Sequence, residues 1–142
     1  MQRAEVILDA SVAVKWFSRE EESDLALKLR DEHLAGRMTL IFPDLLIYEV
    51  SNALRHNSGF DAGDVKGAVK DLFDLELDLV PPNEEIFSKA AVRAFELGVS
   101  IYDACYLALA ELMGLEFVTG DEKLYRKIRK FRFAKQLKHF QR

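Results

Sequence analysis

Four acidic residues of the sequence stand where a carboxylate needs a reason. Asp9 directly follows the apolar run Val6-Ile7-Leu8, and Asp121 follows Phe117-Val118-Thr119-Gly120. In an open α/β sheet, ligands collect outside the carboxyl ends of the strands, so both are candidate site positions. Each is also well placed to cap the helix that follows, with Ser11 and Thr119 as competing caps at the same two turns. Asp103 has the same ambiguity, because Ser100-Ile101-Tyr102-Asp103 has the form of a capping box. The rest of its helix (Ala104, Cys105, Leu107, Ala108, Leu109) is almost wholly apolar and therefore expected to be buried, which turns the one carboxylate toward a sheet edge or cleft. The 18 residues from Asp103 to Asp121 accommodate one helix and one short strand, so both acids are expected at the same end of the sheet.

Glu49 is the most informative of the four. It lies inside a helix expected from Asp44 to about His56, where capping has no role. Its helical neighbours Leu45, Leu46 and Ala53 put it on or beside the apolar stripe. A partly buried glutamate must be neutralised, paired or metal-bound, and a salt bridge to an Arg or Lys is the plain alternative. If Asp9, Glu49, Asp103 and Asp121 converge, mutual repulsion raises their pKa values. A hard divalent cation relieves it, and Mg²⁺ or Mn²⁺ suits a few carboxylates plus water. Such a site does phosphoryl chemistry, polarising a phosphate oxygen and activating water for in-line attack. Competing chemistries lack their parts: His33, His56 and His139 are scattered, no Cys/His spacing suits zinc, and neither a Gly-rich phosphate loop nor a serine nucleophile elbow is present.

The elements that must position these acids alternate short apolar runs with helical patterns, the signature of an α/β fold with a mainly parallel sheet. Val6–Leu8, Leu40–Phe42, Leu77–Val80 and Phe117–Val118 read as buried strands, with a weaker fifth near Gln136–Phe140. Helices are expected over Asp24–Leu34, from Pro43-Asp44 to His56, and after Asp61-Ala62-Gly63-Asp64. Further helices should run from Pro81-Pro82-Asn83 to Gly98, over Ile101–Met113, and from Asp121 as a last long one. A length of 142 residues fits one domain, 1–142, and 49% hydrophobic with 31% charged residues excludes a disordered or membrane-embedded chain. The single cysteine, Cys105, excludes an internal disulfide framework. The first residues have no signal pattern and no apolar run nears the roughly 18 residues of a bilayer span, so a soluble, cytoplasmic protein is expected.

Charge is unevenly spread. From Lys123 to Arg142 there are nine Lys or Arg and no Asp or Glu, while the rest of the chain carries 11 basic and 24 acidic residues, giving the net −4. A basic end beside an acidic body can bind a polyanion, although a solvated basic terminal helix accounts for it equally.

With these residues in view, the sequence resembles the PIN-domain nucleases, and within them the VapC toxins of toxin–antitoxin pairs. Four segments carry the likeness and span nearly the whole chain: Val6-Ile7-Leu8-Asp9-Ala10-Ser11, Tyr48-Glu49-Val50-Ser51-Asn52-Ala53-Leu54, Tyr102-Asp103-Ala104-Cys105-Tyr106-Leu107-Ala108-Leu109-Ala110, and Phe117-Val118-Thr119-Gly120-Asp121-Glu122-Lys123-Leu124. The resemblance implies a PIN-like three-layer fold, about five mainly parallel strands between helices, and Mg²⁺- or Mn²⁺-dependent endoribonuclease activity. It also implies a homodimer and a small VapB-like antitoxin that blocks the acidic cleft. Carried over position by position, Asp9, Glu49 and Asp103 are the main metal ligands, directly or through water, and Asp121 holds a second metal or orients the attacking water. Ser11 and Thr119 are hydrogen-bond partners for metal-bound water, which fits their hydroxyls at the strand ends.

An acidic cleft repels RNA, so cations must attract it, and Lys123, Arg126, Lys127, Arg129 and Lys130 follow Asp121 closely enough to flank the cleft. Phe131, Phe133 and Phe140 interleave with basic residues and are read as edge packing before base stacking, Asn52 as a helix-surface residue, and Trp16, Phe17, Tyr48 and Tyr102 as core or dimer-interface aromatics. Three other classes are weighed. A haloacid-dehalogenase-type phosphatase needs a second Asp at position 11, which is Ser; a receiver domain needs acids on strand ends, whereas Glu49 and Asp103 are on helices; a PIN module that binds RNA or protein without cleavage keeps the fold but does not need four acids.

Overall fold

The computed structural model describes residues 3–140. Met1 and Gln2, part of the start read above for a signal, and Arg142 of the basic run lie outside the described residues. Five strands form one sheet: β1 (Ala4–Leu8), β2 (Met38–Pro43), β3 (Asp78–Val80), β4 (Glu116–Thr119) and β5 (Ala134–Gln136). Their order is β3-β2-β1-β4-β5, and every pairing is parallel. The central strands bury consecutive residues (Val6, Ile7 and Leu8; Leu40, Ile41 and Phe42; Phe117 and Val118) rather than alternate ones. That run follows from covering a parallel sheet on both faces with helices. The expected α/β architecture, five parallel strands between helices, is the one observed.

Winding sets where a ligand can enter. The chain runs outward from β1 through α1 (Ala10–Val14), α2 (Ser23–Leu34), β2, α3 (Leu45–Arg55) and α4 (Ala62–Asp74) to β3 at one edge. It then crosses back through α5 (Glu84–Leu97) and α6 (Ile101–Met113) to β4, on the other side of β1, and finishes through α7 (Glu122–Ile128) and β5. The direction of winding reverses between β1 and β4, and their carboxyl ends flank the crevice that such a switch point opens. Leu8 pairs with Val118 in register, so Asp9 and Thr119 emerge side by side at the crevice. The Asp9 amide donates to the Val118 carbonyl at 3.3 Å.

Helix α6 is the keystone of the packing. Ala104 through Ala110 are all buried, and the helix lies against β1, β2 and β4. Three alanines in that run keep its surface small enough for close approach. Outside it, Arg93 of α5 forks onto Glu111 of α6 (Nε–Oε1 and Nη2–Oε2 both 2.7 Å) while its guanidinium covers the Phe131 ring at 4.9 Å. The two crossover helices and the C-terminal segment are thereby tied together.

Most expected helix starts are observed. Asp61 and Asp64 form a reciprocal capping box, Asn83 accepts from the Ile86 amide, and Ser100 accepts from the Asp103 amide. Three details differ from the expectation. Helix α1 is only five residues, too short to show an apolar stripe. The last helix, α7, is seven residues rather than long. The fifth strand is Ala134–Gln136, not Gln136–Phe140: Leu137 to His139 wind into a 3-10 turn that buries Leu137. The apolar pair Leu137 and Phe140 has the three-residue spacing of that turn rather than the two-residue period of a strand. Among the described residues, no helix is long and apolar enough to cross a membrane.

Phe117 is 0% exposed at the sheet centre and Phe95 is 91% exposed on α5. Phe117→Ala is expected to lower the unfolding free energy by roughly 3–5 kcal/mol, and Phe95→Ala to change it by less than about 0.5 kcal/mol, both read from urea titrations.

Candidate active site

Asp9 ends β1 and caps α1, so the capping and site readings are not alternatives. Its Oδ1 accepts from the Ser11 amide at 3.1 Å and from the Ser11 hydroxyl, and its Oδ2 accepts from the Thr119 hydroxyl at 2.6 Å. The two hydroxyls have no freedom to turn away. The Gly120 amide donates to Ser11 Oγ at 2.8 Å and the Asp121 amide donates to Thr119 Oγ1 at 3.0 Å. A hydroxyl has one proton and two lone pairs; with the backbone occupying acceptor capacity, both protons point at Asp9. The turn after β4 thus orients both donors at the end of β1.

At position 120 the turn packs closely on Lys15 and Ser11. A Cβ there would meet Lys15 Cε at 2.9 Å and Ser11 Oγ at 3.4 Å. Lys15 is itself buried on the far side, its Nζ donating to the Glu21 carbonyl at 2.9 Å and pairing with Glu20 at 3.5 Å.

The other acids arrive from separate elements. Glu49 is half-buried in the middle of α3 and pairs with no Arg or Lys among the described residues; instead Tyr106 donates its hydroxyl to Glu49 Oε1 at 2.7 Å. Asp103 lies in the first turn of α6, with its amide capped by Ser100. Asp121 caps α7 through Leu124 and is exposed at the rim. The plain alternative for Glu49, a salt bridge, is not observed, and none of the four acids forms an ion pair within 4.0 Å among the described residues.

Their charges act on one another. Burial pushes the Asp9 carboxyl up to about 7, the hydrogen bonds from Ser11 and Thr119 work against that shift, and the charges of Asp103 and Asp121 add to it. Burial raises Glu49, opposed by the Tyr106 hydrogen bond and helped by the Asp103 charge. Burial also raises Asp103, reinforced by Asp121 and opposed by Ser100 and by the Lys127 charge. Asp103 is the common member, felt by both Asp9 and Glu49. Among the described residues, no three His, Cys, Asp or Glu side chains stand close enough to cage an ion as they are. The carboxylates are only partly compensated and raise one another, and their oxygen donors are of the kind that suits a hard divalent cation.

The basic residues divide. Lys123 and Lys127, one turn apart on α7, line a cleft of about 290 Å³ together with Asp103 and Asp121. Lys127 is steadied there by donating to the Gly98 carbonyl at 2.8 Å. Lys130 is drawn elsewhere, pairing with Glu96 at 3.1 Å and lying over Phe131. Arg126 and Arg129 are exposed. Phe131 and Phe133 pack on each other with centroids 5.4 Å apart, the edge packing expected. Trp16 is core, its indole donating to the Ala26 carbonyl, whereas Tyr48 and Tyr102 are exposed and do not belong to the core. Asn52 is a helix-surface residue, as read.

Tyr106 is the residue that the sequence reading passed over. The signal was its place one turn after Asp103 on a buried helix, where a phenol must find a hydrogen-bond partner.

Comparison with known proteins bears on the family and the fold. The sequence model of the PIN domain matches residues 6–130. Ribonuclease VapC3 of Pyrobaculum aerophilum is 29% identical over 126 residues, covering 86% of this chain and 93% of that protein. The crystal structure of PAE2754 from Pyrobaculum aerophilum superposes with a TM-score of 0.64 at 25% identity, covering 96% of this chain and 93% of that one. A toxin–antitoxin complex from Klebsiella pneumoniae gives 0.67 at 17% identity, covering 91% and 94%.

A carboxyl raised from its ordinary 3.8 to about 7 binds a proton in the folded state that the unfolded state has lost. In the metal-free protein its contribution to stability therefore falls as pH rises through the window from about 4 to 7, by roughly 4 kcal/mol in all. Wild type should be less stable at pH 8 than at pH 5 in urea titrations. Asp9→Asn keeps an acceptor for the Ser11 amide and should flatten this dependence, being at least as stable as wild type at pH 8. An equal pH slope in both proteins would contradict the assignment.

Proposed function

The chain belongs to the PIN-domain family, and from that premise we propose that it is a divalent-metal-dependent endoribonuclease, the toxin of a type II toxin–antitoxin pair. The observation that carries this reading is the repulsion among four unpaired carboxylates at the switch point of the sheet. Such a set destabilises the fold unless a cation is meant to join it. The likeness to ribonuclease VapC3 supports RNA as the substrate, and the likeness to a toxin–antitoxin complex supports a VapB-like antitoxin partner. A homodimer, residues 1–142 as a single PIN-like unit, and a cytoplasmic setting complete the proposal.

In this reading Asp9, Glu49 and Asp103 hold Mg²⁺ or Mn²⁺, directly or through water, and Asp121 holds a second ion or orients the attacking water. A bound divalent cation supplies Lewis-acid polarisation of the phosphodiester and makes water a better nucleophile. Ser11 and Thr119 keep Asp9 aimed and ionisable, since hydrogen bonds to the charged form favour it. Lys123 and Lys127 flank Asp103 and Asp121 in one cleft, so a phosphate can meet cations beside the acids. That pairing gives an acidic site affinity for a polyanion. Arg126 and Arg129 extend the basic surface, and Lys130, occupied by Glu96, contributes less.

An RNA cleavage assay with Mg²⁺ or Mn²⁺ tests the reading. Asp9→Asn and Asp103→Asn should each lose several kcal/mol of transition-state stabilisation, about 10²–10³-fold in rate, and chelator should abolish cleavage. Cleavage that survives either substitution, or chelation, refutes the mechanism; metal-dependent RNA binding without cleavage by wild type identifies a binding module instead. Lys123→Ala with Lys127→Ala should weaken RNA binding and reduce the slope of log affinity against log salt by about 1.4. Lys130→Ala should change that slope much less.

A further inference from the structure

We infer that Tyr106 is a positioning residue that holds the Glu49 carboxylate in its cation-binding orientation. This rests on the reading of Glu49 as a metal ligand. The two residues come from different helices, 57 positions apart, and meet through the 2.7 Å bond from the Tyr106 hydroxyl to Glu49 Oε1. Glu49 is the one acid of the four that neither caps a helix nor belongs to a first turn; its carboxylate is carried on a long side chain in the middle of α3. Left to itself it would sample several rotamers at a half-exposed position. Asp9 is held by Ser11 and Thr119, and Asp121 by the Leu124 amide. Tyr106 is the corresponding restraint for Glu49.

The phenol is suited to that task because it cannot move. Tyr106 is 1% exposed, its ring packs beside Phe117 of β4 with centroids 6.5 Å apart, and the residues around it on α6 are all buried. It follows Asp103 by one helical turn, so α6 presents an acid and the restraint for a second acid on neighbouring positions. The bond occupies one oxygen of Glu49. Oε2 accepts no hydrogen bond from the described residues and remains available. The charges of Glu49, Asp9 and Asp103 all discourage the phenol from ionising, on top of its burial, so it stays a donor.

The opposite dependence is that Glu49 only satisfies a buried hydroxyl. The two are separated by measuring Mn²⁺ affinity from the paramagnetic resonance signal of free Mn²⁺, with unfolding midpoints of the metal-free proteins alongside. Tyr106→Phe should weaken Mn²⁺ binding about 10- to 100-fold. It should raise the Mg²⁺ concentration for half-maximal cleavage, with less change in the rate at saturating metal. Glu49→Gln should also weaken Mn²⁺, and adding Tyr106→Phe to it should cause little further loss, because the coupling runs through one bond. If Tyr106→Phe does not fold, Tyr106→Met removes the same hydroxyl from a more pliable side chain and is read in the same way. Unchanged Mn²⁺ affinity in a folded variant, or full additivity of the two substitutions, overturns the inference while leaving the metal reading standing. Wild-type protein that takes up no Mn²⁺ overturns the metal reading and this inference with it.

Discussion

At the carboxyl end of β1 a single carboxylate sits where solvent hardly reaches, 4% exposed, between the buried strands β1 and β4. The free-energy cost of its charge shapes everything around it. Without donors, a carboxylate in such a place would stay protonated. Ser11 and Thr119 supply the donors, and the amides of Gly120 and Asp121 direct them. The turn after β4 thus contributes a hydroxyl at 119 and two backbone amides, at 120 and 121, to the surroundings of Asp9. The residual upward shift of Asp9 means that these donors offset only part of the burial cost. What they leave is a group whose charge a cation can complete, a condition that favours binding over stability.

Helix α6 links that constraint to the fold. It is a core helix by composition and by position, yet its first turn carries Asp103 and its second carries the Tyr106 hydroxyl. A buried helix is a rigid mount, and both groups sit on one that three strands hold in place. Both groups lie in the first half of α6, while the Arg93 to Glu111 fork secures its other end to α5. The acid on the exposed side of the cleft, Asp121, shares it with Lys123 and Lys127. Lys123 and Lys127 therefore stand at the exposed rim, while Asp9 lies inward.

Much of this was legible in the residues. The strands were visible because parallel sheets bury continuous apolar runs, and the starts of α4, α5 and α6 because capping chemistry is local. The fifth strand, Ala134–Gln136, precedes the expected Gln136–Phe140 because the apolar residues there, Leu137 and Phe140, belong to a 3-10 turn and its end. The start of α1 is marked by Asp9, but its extent is not legible because five residues have no period. Asp9 and Asp121 read ambiguously between cap and site for a sound reason: both fill the cap and face the crevice at once.

The sequence by itself determined which residue types stand at strand ends and which acid could not be a cap, since these depend only on neighbours along the chain. It could not decide who meets whom. That Glu49 finds a phenol rather than an arginine, that Lys130 turns to Glu96 while Lys127 turns to the cleft, and that two backbone amides orient the donors of Asp9 all follow from the β1–β4 register and the packing of α6. These are contacts between segments far apart in the chain, and local sequence carries no information about a distance that only the closed fold defines.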